Sequence, residues 1–370
     1  MKSIISIFIT VCALVIISNA ANAQGCVAIK GSGASCIMSH PETTDNAGWV
    51  FTSGFRYFKS FRHFSGTKEN KARLAQGTEV INHSATVDLS LTRVLNNRWS
   101  VMIDAPIISN ARSSLYEHGL VNGVYVKKER HSMHSFGIGD VRVAAYRWIL
   151  DPAKFARGNI QLGLGIKLPT GDYNYQDYWY NVGPNGAKEL RPVDQSIQLG
   201  DGGTGFTLEA NTFYNIKKNF GLYGNFYYLI NPREQNGVRT YRETLSPTLA
   251  NEAISSVPDQ YMARAGFTYS FSHLKGLSVA AGARLEGIPV HDLVGGSGDF
   301  RRPGYVWSVE PTINYAFKKS SLFLSVPIAF VRDRTQSVTD KENSIKYDKF
   351  IRGDAAFANY TINVGFTSRF

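Results

Sequence analysis

The feature that most constrains this chain is a two-residue alternation of apolar and polar side chains in its long segments. In the last eleven residues the apolar side chains share one parity, at Tyr360, Ile362, Val364, Phe366 and Phe370. The other parity carries Thr361, Asn363, Thr367 and Arg369. Successive side chains of a β-strand point to opposite faces, so this segment predicts a strand with one apolar and one polar face. Such a strand needs different surroundings on its two sides.

The composition favours β structure and argues against membrane-spanning helices. The 370 residues include 22 Phe, 19 Tyr and 34 Gly. Aromatic side chains suit pleated surfaces, and glycine suits tight turns and crowded interiors. After the first two dozen residues, no apolar run approaches the roughly 18 to 20 residues that a membrane helix needs. If the chain spans a membrane, it must do so as a closed β-barrel.

The first 23 residues have the pattern of a secretory signal peptide. Lys2 gives the positive start, residues 4–17 form the apolar core, and Ala21-Asn22-Ala23 is an A-x-A cleavage site. The sequence therefore predicts export, with a mature chain that begins near Gln24.

Residues 24–47 are small, polar and irregular, which predicts a segment without regular structure on the periplasmic side. The mature chain keeps two cysteines, Cys26 and Cys36. An even pair in an oxidising compartment favours a disulfide. A lipid anchor on Cys26 is disfavoured because residues 23–25 match a lipoprotein box poorly.

From Gly48 onward the alternation predicts twelve strands, the first of which begins at Gly48. The other eleven are predicted at 80–95, 98–109, 135–150, 158–170, 204–216, 219–231, 259–272, 276–288, 303–317, 319–331 and 357–370. The connections between them alternate between short and long. Short periplasmic turns and long external loops are typical of an even-stranded outer-membrane barrel, whereas a soluble sandwich gives no reason for such sorting.

The side chains agree with a barrel wall. In 158–170, Ile160, Leu162 and Leu164 share the outer parity, and Gln161 and Lys167 share the inner one. Aromatic residues gather at the strand ends, as an interfacial girdle would. The sequence thus predicts an all-β, transmembrane, antiparallel up-and-down barrel over residues 48–370, in the bacterial outer membrane.

Charged residues on the inner parity are the candidate pore-lining residues. A basic side chain facing lipid near mid-membrane costs about 2–4 kcal/mol, so these residues should face the lumen. The ten candidates are Asp88, Asp104, Asp140, Arg142, Lys167, Glu209, Arg264, Arg284, Glu286 and Glu310.

Folding the strands about their short turns predicts specific partners. A turn at Asn96-Asn97 would bring Asp88 nearly opposite Asp104, with Arg142 between the two carboxylates. Asp140 should meet Lys167 about the turn at 151–157. Arg264 should pair with Arg284, with Glu286 and Glu310 close enough to neutralise both. Two interpretations stay open: a structural network that stiffens a narrow barrel, or a polar pathway whose charges set solute preference.

The long connection 171–203 carries five aromatic residues close together: Tyr173, Tyr175, Tyr178, Trp179 and Tyr180. A freely solvated loop would rarely hold such a cluster, so it should pack on something. One hypothesis is a constriction or an aromatic shelf for solute in the barrel mouth. The other is packing against neighbouring loops or the outer leaflet.

Three short motifs fall near strand ends: G-x-G-D at 137–140, K-L-P-T-G-D at 167–172, and G-D-G-G-T-G at 200–205. The third lacks a following Lys and precedes a strand instead of a helix, so it does not predict nucleotide binding. Over about 136–216 the chain resembles a family of bacterial outer-membrane transporters named for the meta-pathway of phenol degradation. That resemblance implies a small hydrophobic or aromatic solute and carries over no binding-site residue. The closing strand, which ends at Phe370, also resembles the strand that the barrel-assembly machinery recognises.

The net charge of +11 raises the question of a polyanionic partner. Export argues against nucleic acid, and anionic lipopolysaccharide at the outer rim is the simpler expectation. We expect a passive channel or transporter for small molecules, with no cofactor and no enzymatic activity. A plugged barrel with a structural or surface-interaction role is the alternative. An outer-membrane lipid hydrolase is a remote one, because the histidines fall in loops, termini or a turn, or at a strand start in the case of His83, and none sits within a strand beside an outward-facing serine.

Overall fold

The chain folds into one closed barrel in a computed structural model. It describes residues 47–115, 120–121, 124–125, 129–240, 245 and 247–370. The predicted signal peptide and the pair Cys26 and Cys36 lie outside the described residues, as does all but the last residue of the predicted irregular segment. The domain boundaries before residue 47 stay predictions.

Twelve antiparallel strands form the wall. They are β1 Gly48–Ser60, β2 Ile81–Val94, β3 Trp99–Ser114, β4 in two parts, His131–Ile138 and Arg142–Trp148, β5 Gly158–Lys167, β6 Gly205–Lys217, β7 Phe220–Ile230, β8 Gln260–Ser270, β9 Leu277–Ile288, β10 in two parts, Gly304–Val309 and Thr312–Ala316, β11 in two parts, Ser320–Ser325 and Ile328–Asp333, and β12 Ile362–Arg369. Each strand pairs with its sequence neighbours, and β12 pairs with β1 in the register Gly54 to Gly365. The predicted fold class is therefore confirmed.

Most strand boundaries lie within three residues of the prediction. Two strands reach further outward: β3 ends at Ser114 and β4 begins at His131, because these extensions pair with each other beyond the barrel. β12 begins at Ile362, since Ala355–Phe357 forms a separate strand against Arg62–Ser65.

Proline explains two of the interrupted strands. β10 breaks at Pro311 and β11 breaks at Pro327, and these residues have no N–H to donate to the ladder. The Pro311 carbonyl accepts from the Val326 N–H at 3.1 Å, and the Pro327 carbonyl accepts from the Thr361 N–H at 3.0 Å. The wall therefore stays hydrogen-bonded across both breaks.

The connections sort by length as predicted. The turns at 95–98, 149–157, 218–219, 271–276 and 317–319 lie at one end, called here the short-turn end, and the longer connections lie at the other, the long-loop end. β1 and β12 start and finish at the short-turn end, where the Trp49 N–H donates to the Phe370 carbonyl at 2.8 Å. No helix among the described residues is both long enough and apolar enough to cross a membrane.

The longer connections carry the remaining elements. The helices are α1 Lys71–Gln76 and α2 Val338–Lys346, and the 3-10 turns are Pro184–Gly186, Gln195–Ile197 and Pro247–Glu252. Short strands besides those already named are Lys68–Glu69, Leu120–Val121, Val124–Tyr125, Gln176–Trp179, Glu189–Pro192, Gln235–Arg239 and Ile254–Ser256.

The wall is apolar outside and polar inside, the reverse of a soluble protein. In β5, Leu162, Leu164 and Ile166 are exposed, Leu164 by 65%, whereas Asn159 and Lys167 are buried. The belt of exposed aliphatic and aromatic side chains around the barrel would be strongly unfavourable in water. The outer surface is therefore built for a hydrocarbon surrounding.

Candidate functional site

The interior of the barrel holds the predicted pore-lining residues. Nine of the ten are buried, and Asp140 is half-buried with its side chain largely covered. Nine of them form three groups, around Arg142, around Lys167 and around Arg264, and Asp88 lies beside the first group.

The first group is centred on Arg142 in β4. Its guanidinium donates a hydrogen bond to Glu209 in β6, and it lies 4.0 Å from Asp104 in β3. The Tyr146 hydroxyl donates to the second Glu209 oxygen at 3.0 Å, and Ser90 donates to Asp104 at 2.5 Å. Arg142 thus connects β4 with β6, two strands that do not pair with each other in the wall.

Asp88 and Asp104 lie near each other as predicted, but as diagonal neighbours two residues out of direct register. The hairpin closes with Leu95 donating to the Trp99 carbonyl, so Ser90 lies opposite Asp104, and Asp88 lies opposite Pro106. Arg142 binds Glu209 instead of bridging the two aspartates. Asp88 is 1% exposed, and within the described part of the chain neither carboxylate oxygen accepts a hydrogen bond.

The second group brings the three sequence motifs together. Lys167 lies 3.3 Å from Asp140, as predicted, and also donates to Asp201. Asp140 accepts from the Gly171 N–H at 3.0 Å and from the Asp201 N–H at 3.2 Å. The motifs at 137–140, 167–172 and 200–205 therefore form one junction at the break in β4.

Glycine is required where two of these motifs touch. A Cβ on Gly171 would lie 2.8 Å from the Gly200 nitrogen, and a Cβ on Gly200 would lie 2.6 Å from the Gly171 carbonyl oxygen. Both distances are shorter than real Cβ contacts. The glycine-rich motif thus allows two backbone segments to lie close together. Asp201, which was not among the predicted site residues, supplies the second carboxylate that Lys167 contacts.

The third group lies on the opposite wall. Arg264 and Arg284 face each other in the β8–β9 ladder, as predicted. Arg264 lies 3.2 Å from Glu310, and Arg284 lies 2.7 Å from Glu286 and 3.9 Å from Glu310. The group is neutral.

A chain of hydrogen bonds runs from this group around the wall. Arg264 Nε donates to Asn225 at 2.8 Å, the Asn225 amide to Asn211 at 2.7 Å, and the Asn211 amide to Gln161 at 3.2 Å. The polar side chains of β5 to β8 thus form one connected network, which fixes the shape of the lumen.

The five aromatic residues of the 171–203 connection do not form one cluster. Trp179 is fully buried against Met133, Val193 and Ile197, with Tyr175 packed on the edge. Its hairpin therefore leans on the inner face of β4. The other three lie apart: Tyr180 stacks on His131 at 4.0 Å between ring centroids, Tyr178 is exposed beside Lys188, and Tyr173 lies near Arg233.

The segment that follows, 193–201, enters the barrel, and we call it the strap. Arg302 donates two hydrogen bonds to Asp194 at 2.9 and 2.8 Å, and Arg112 lies 3.4 Å from the same carboxylate. The Ile197 carbonyl accepts from Asn110 at 3.1 Å and from Ser135 at 2.5 Å. Side chains from β3, β4 and the connection 289–303 therefore hold the strap across the mouth.

The charge on Asp194 is strongly favoured in this position. Burial by itself raises a carboxyl pKa, but Arg112 and Arg302 outweigh it and hold the pKa of Asp194 well below its usual value. The strap is thus fixed by an ionised carboxylate between two arginines.

A cavity of about 120 Å³ lies beneath the strap, inside the barrel. Its lining mixes charged side chains, Asp104, Arg142 and Lys167, with apolar and aromatic ones, Ile108, Tyr227 and Leu229. The Arg142 guanidinium lies 5.7 Å from the Tyr227 ring, so the two kinds of side chain lie next to each other. Strap residues 195, 196 and 198–201 form part of the roof. The cavity therefore joins two of the three charged groups to an apolar surface.

Known structures share this architecture. An outer-membrane channel from Pseudomonas putida F1 superposes with a TM-score of 0.56, at 13% identity, over 90% of this chain and 99% of that one. The fold is that of outer-membrane barrels. Together with the lipid-facing belt, it assigns the chain to the bacterial outer membrane.

Other matches are more distant. The toluene transporter TodX from Pseudomonas putida gives a TM-score of 0.44 at 9% identity, over 94% of this chain and 96% of that one. The translocator domain of the autotransporter NalP from Neisseria meningitidis gives 0.44 at 11%, over 90% and 91%. No protein-family model and no curated protein matches the sequence.

The histidines that could bear on catalysis or metal binding lie at the long-loop end. His131 lies 3.7 Å from Glu129, and His134 lies 3.7 Å from Asp177. Within the described part of the chain, no three His, Cys, Asp or Glu side chains are grouped to hold a metal ion.

Proposed function

We propose that this protein is a passive outer-membrane channel for small solutes. The observation that carries the proposal is the cavity of about 120 Å³ enclosed by the barrel wall and roofed by the strap. Apolar protein cavities of roughly 150 Å³ bind benzene, so the space suits a single aromatic ring. The fold shared with an outer-membrane channel supports this proposal.

The lining supports a small aromatic solute in particular. Tyr227, Leu229 and Ile108 offer an apolar surface, and Asp104, Arg142 and Lys167 offer polar partners beside it. A ring that bears a hydroxyl or another polar substituent would satisfy both. The resemblance at 136–216 to the family named for phenol degradation points to the same class of solute.

The ten inward-facing charged residues would then line the path, and the strap would act as its constriction. Trp179 and Tyr175 would anchor the hairpin that carries the strap, whereas Tyr173, Tyr178 and Tyr180 would stand above it. A solute that enters from the long-loop end would have to displace the strap, because segment 195–201 covers the cavity.

Two contacts outside the lumen belong to the same proposal. The barrel-assembly machinery would recognise the closing strand, which ends at Phe370. Lipopolysaccharide would be the lipid that meets the wall near the long loops.

The test is conductance in planar bilayers combined with uptake of 4-hydroxybenzenesulfonate by proteoliposomes, an aromatic solute whose charge keeps it from crossing lipid unaided. We expect a small, discrete conductance and uptake of this solute faster than that of a bulky sugar and faster than in liposomes without the protein. A barrel that inserts and shows neither would overturn the proposal and favour the plugged structural barrel. The connected polar network of β5 to β8 and the buried strap are the observations that keep this second candidate open.

A further inference from the structure

The net positive charge of the chain is concentrated at the short-turn end. Eleven Lys and Arg but a single acidic residue, Asp151, fall in the windows 93–99, 147–158, 217–220, 271–277, 317–320 and 366–370. The chain has 40 Lys and Arg and 29 Asp and Glu in all, so the remaining 29 and 28 nearly cancel. The excess is therefore a property of one end of the barrel.

These side chains surround the whole perimeter, and we call them the basic ring. Every one of the five short turns and β12 contributes at least one basic residue. Lys217, Lys218, Lys275, Lys318 and Lys319 are exposed. A ring around a barrel in a membrane faces lipid headgroups in all directions, whereas a docking surface for one protein partner would be expected on one side.

Aromatic residues place the basic ring at the membrane boundary. The Arg93 guanidinium lies 5.1 Å from the Trp49 ring, Arg147 lies 5.3 Å from Trp99, and Arg157 lies 5.2 Å from Tyr214. Trp49, Trp99 and Tyr214 are exposed on the wall. Tryptophan and tyrosine favour the headgroup level, where long basic side chains can extend their charge into water.

We propose that the basic ring binds the anionic headgroups of phospholipids in the inner leaflet of the outer membrane. Basic residues close to an anionic lipid surface are attracted to it, and the attraction grows with their number. The sequence alone led us to expect lipopolysaccharide at the outer rim as the partner for the net charge. The ring lies at the opposite end, where the leaflet consists of phospholipid. This proposal does not depend on the channel function.

The test uses the full barrel in phosphatidylcholine vesicles that contain a minor fraction of brominated lipid, and it follows tryptophan fluorescence. Bromine in the acyl chains quenches nearby tryptophan, so two brominated lipids that differ only in headgroup report local enrichment. We expect brominated phosphatidylglycerol to quench as if enriched roughly threefold over brominated phosphatidylcholine. That preference should vanish near 1 M salt, where the Debye length falls to about 3 Å.

Two variants make the outcome specific to the ring. The quadruple variant Lys217→Gln, Lys218→Gln, Lys318→Gln and Lys319→Gln should lose at least half of the preference. A control with the same change of charge at the long-loop end, Lys68→Gln, Lys71→Gln, Lys341→Gln and Lys349→Gln, should keep it. Trp49→Phe with Trp99→Phe should abolish the headgroup-dependent quenching, because the remaining lipid-facing Trp307 lies towards the other end.

Equal quenching by the two lipids in the unaltered protein would overturn the proposal. Equal losses in the two quadruple variants would also overturn it, since net charge and not the ring would then be responsible. A preference that survives Trp49→Phe with Trp99→Phe would place the anionic lipid elsewhere on the wall and would also overturn the proposal.

Discussion

Asp194 fixes the strap inside the barrel mouth, and Asp194→Asn should release it. The substitution keeps the side-chain shape but removes the negative charge that Arg302 contacts at 2.9 and 2.8 Å and Arg112 at 3.4 Å. Removing one partner of a buried ion pair costs about 3–5 kcal/mol. If the cost falls on the closed strap, its displaced population should rise by roughly 100-fold to 4,000-fold, at about 1.4 kcal/mol per factor of ten.

Single-channel recording in planar bilayers measures this population directly. We expect Asp194→Asn to show longer or larger openings than the unaltered protein. Glu189→Gln is the matched control: it removes a carboxylate from the same connection, where Glu189 pairs with Arg191 on a partly exposed hairpin. Exposed pairs contribute at most about 1 kcal/mol, so this variant should behave like the unaltered protein. An Asp194→Asn barrel that folds and conducts like the control would refute the strap as a gate.

Three further predictions follow from the same geometry. Arg264→Glu removes the guanidinium that lies 3.2 Å from Glu310 and adds a carboxylate to the same wall, so it should shift the reversal potential in a salt gradient towards cation selectivity; no shift would remove Arg264 from the path. Leu164→Arg should destabilise the barrel by about 2–4 kcal/mol in urea unfolding from vesicles, because Leu164 faces lipid, and a loss below about 1 kcal/mol would contradict that placement. Because the pKa of Asp194 lies below its usual value, its stabilising effect is complete above the ordinary carboxyl range and is lost only as pH falls through the lowered pKa, so the difference in opening between Asp194→Asn and the unaltered protein should be the same at about pH 7 and pH 5.

The pairs predicted by folding strands about short turns depended on the length of each turn. Lys167 meets Asp140 and Arg264 meets Arg284, as expected. Asp88 and Asp104 are diagonal neighbours instead of directly opposed, because the hairpin closes between Leu95 and Trp99, one residue beyond the turn assumed at Asn96-Asn97. A turn only slightly longer than assumed is enough to change every partner in a ladder.

The strap and its contacts could not be predicted from local patterns. Asp194 and Arg302 are 108 residues apart, and both lie in connections with no periodicity. Trp179 was recognised as one of five aromatic residues, but nothing in the sequence distinguished it as the buried one. The glycines at 200–203 were a visible signal, although their meaning as a site of close backbone approach needed Gly171 beside them.

The sequence by itself determined that this chain is a barrel with a polar interior and an apolar outer wall. Side-chain parity is a local property of an extended strand, so the face of Leu164 or Lys167 is set by its neighbours along the chain. The tertiary structure decided which charges meet, how the strap closes the mouth and where the cavity lies. Those features depend on the path of long connections through space and on contacts between residues far apart in sequence, which no two-residue period encodes.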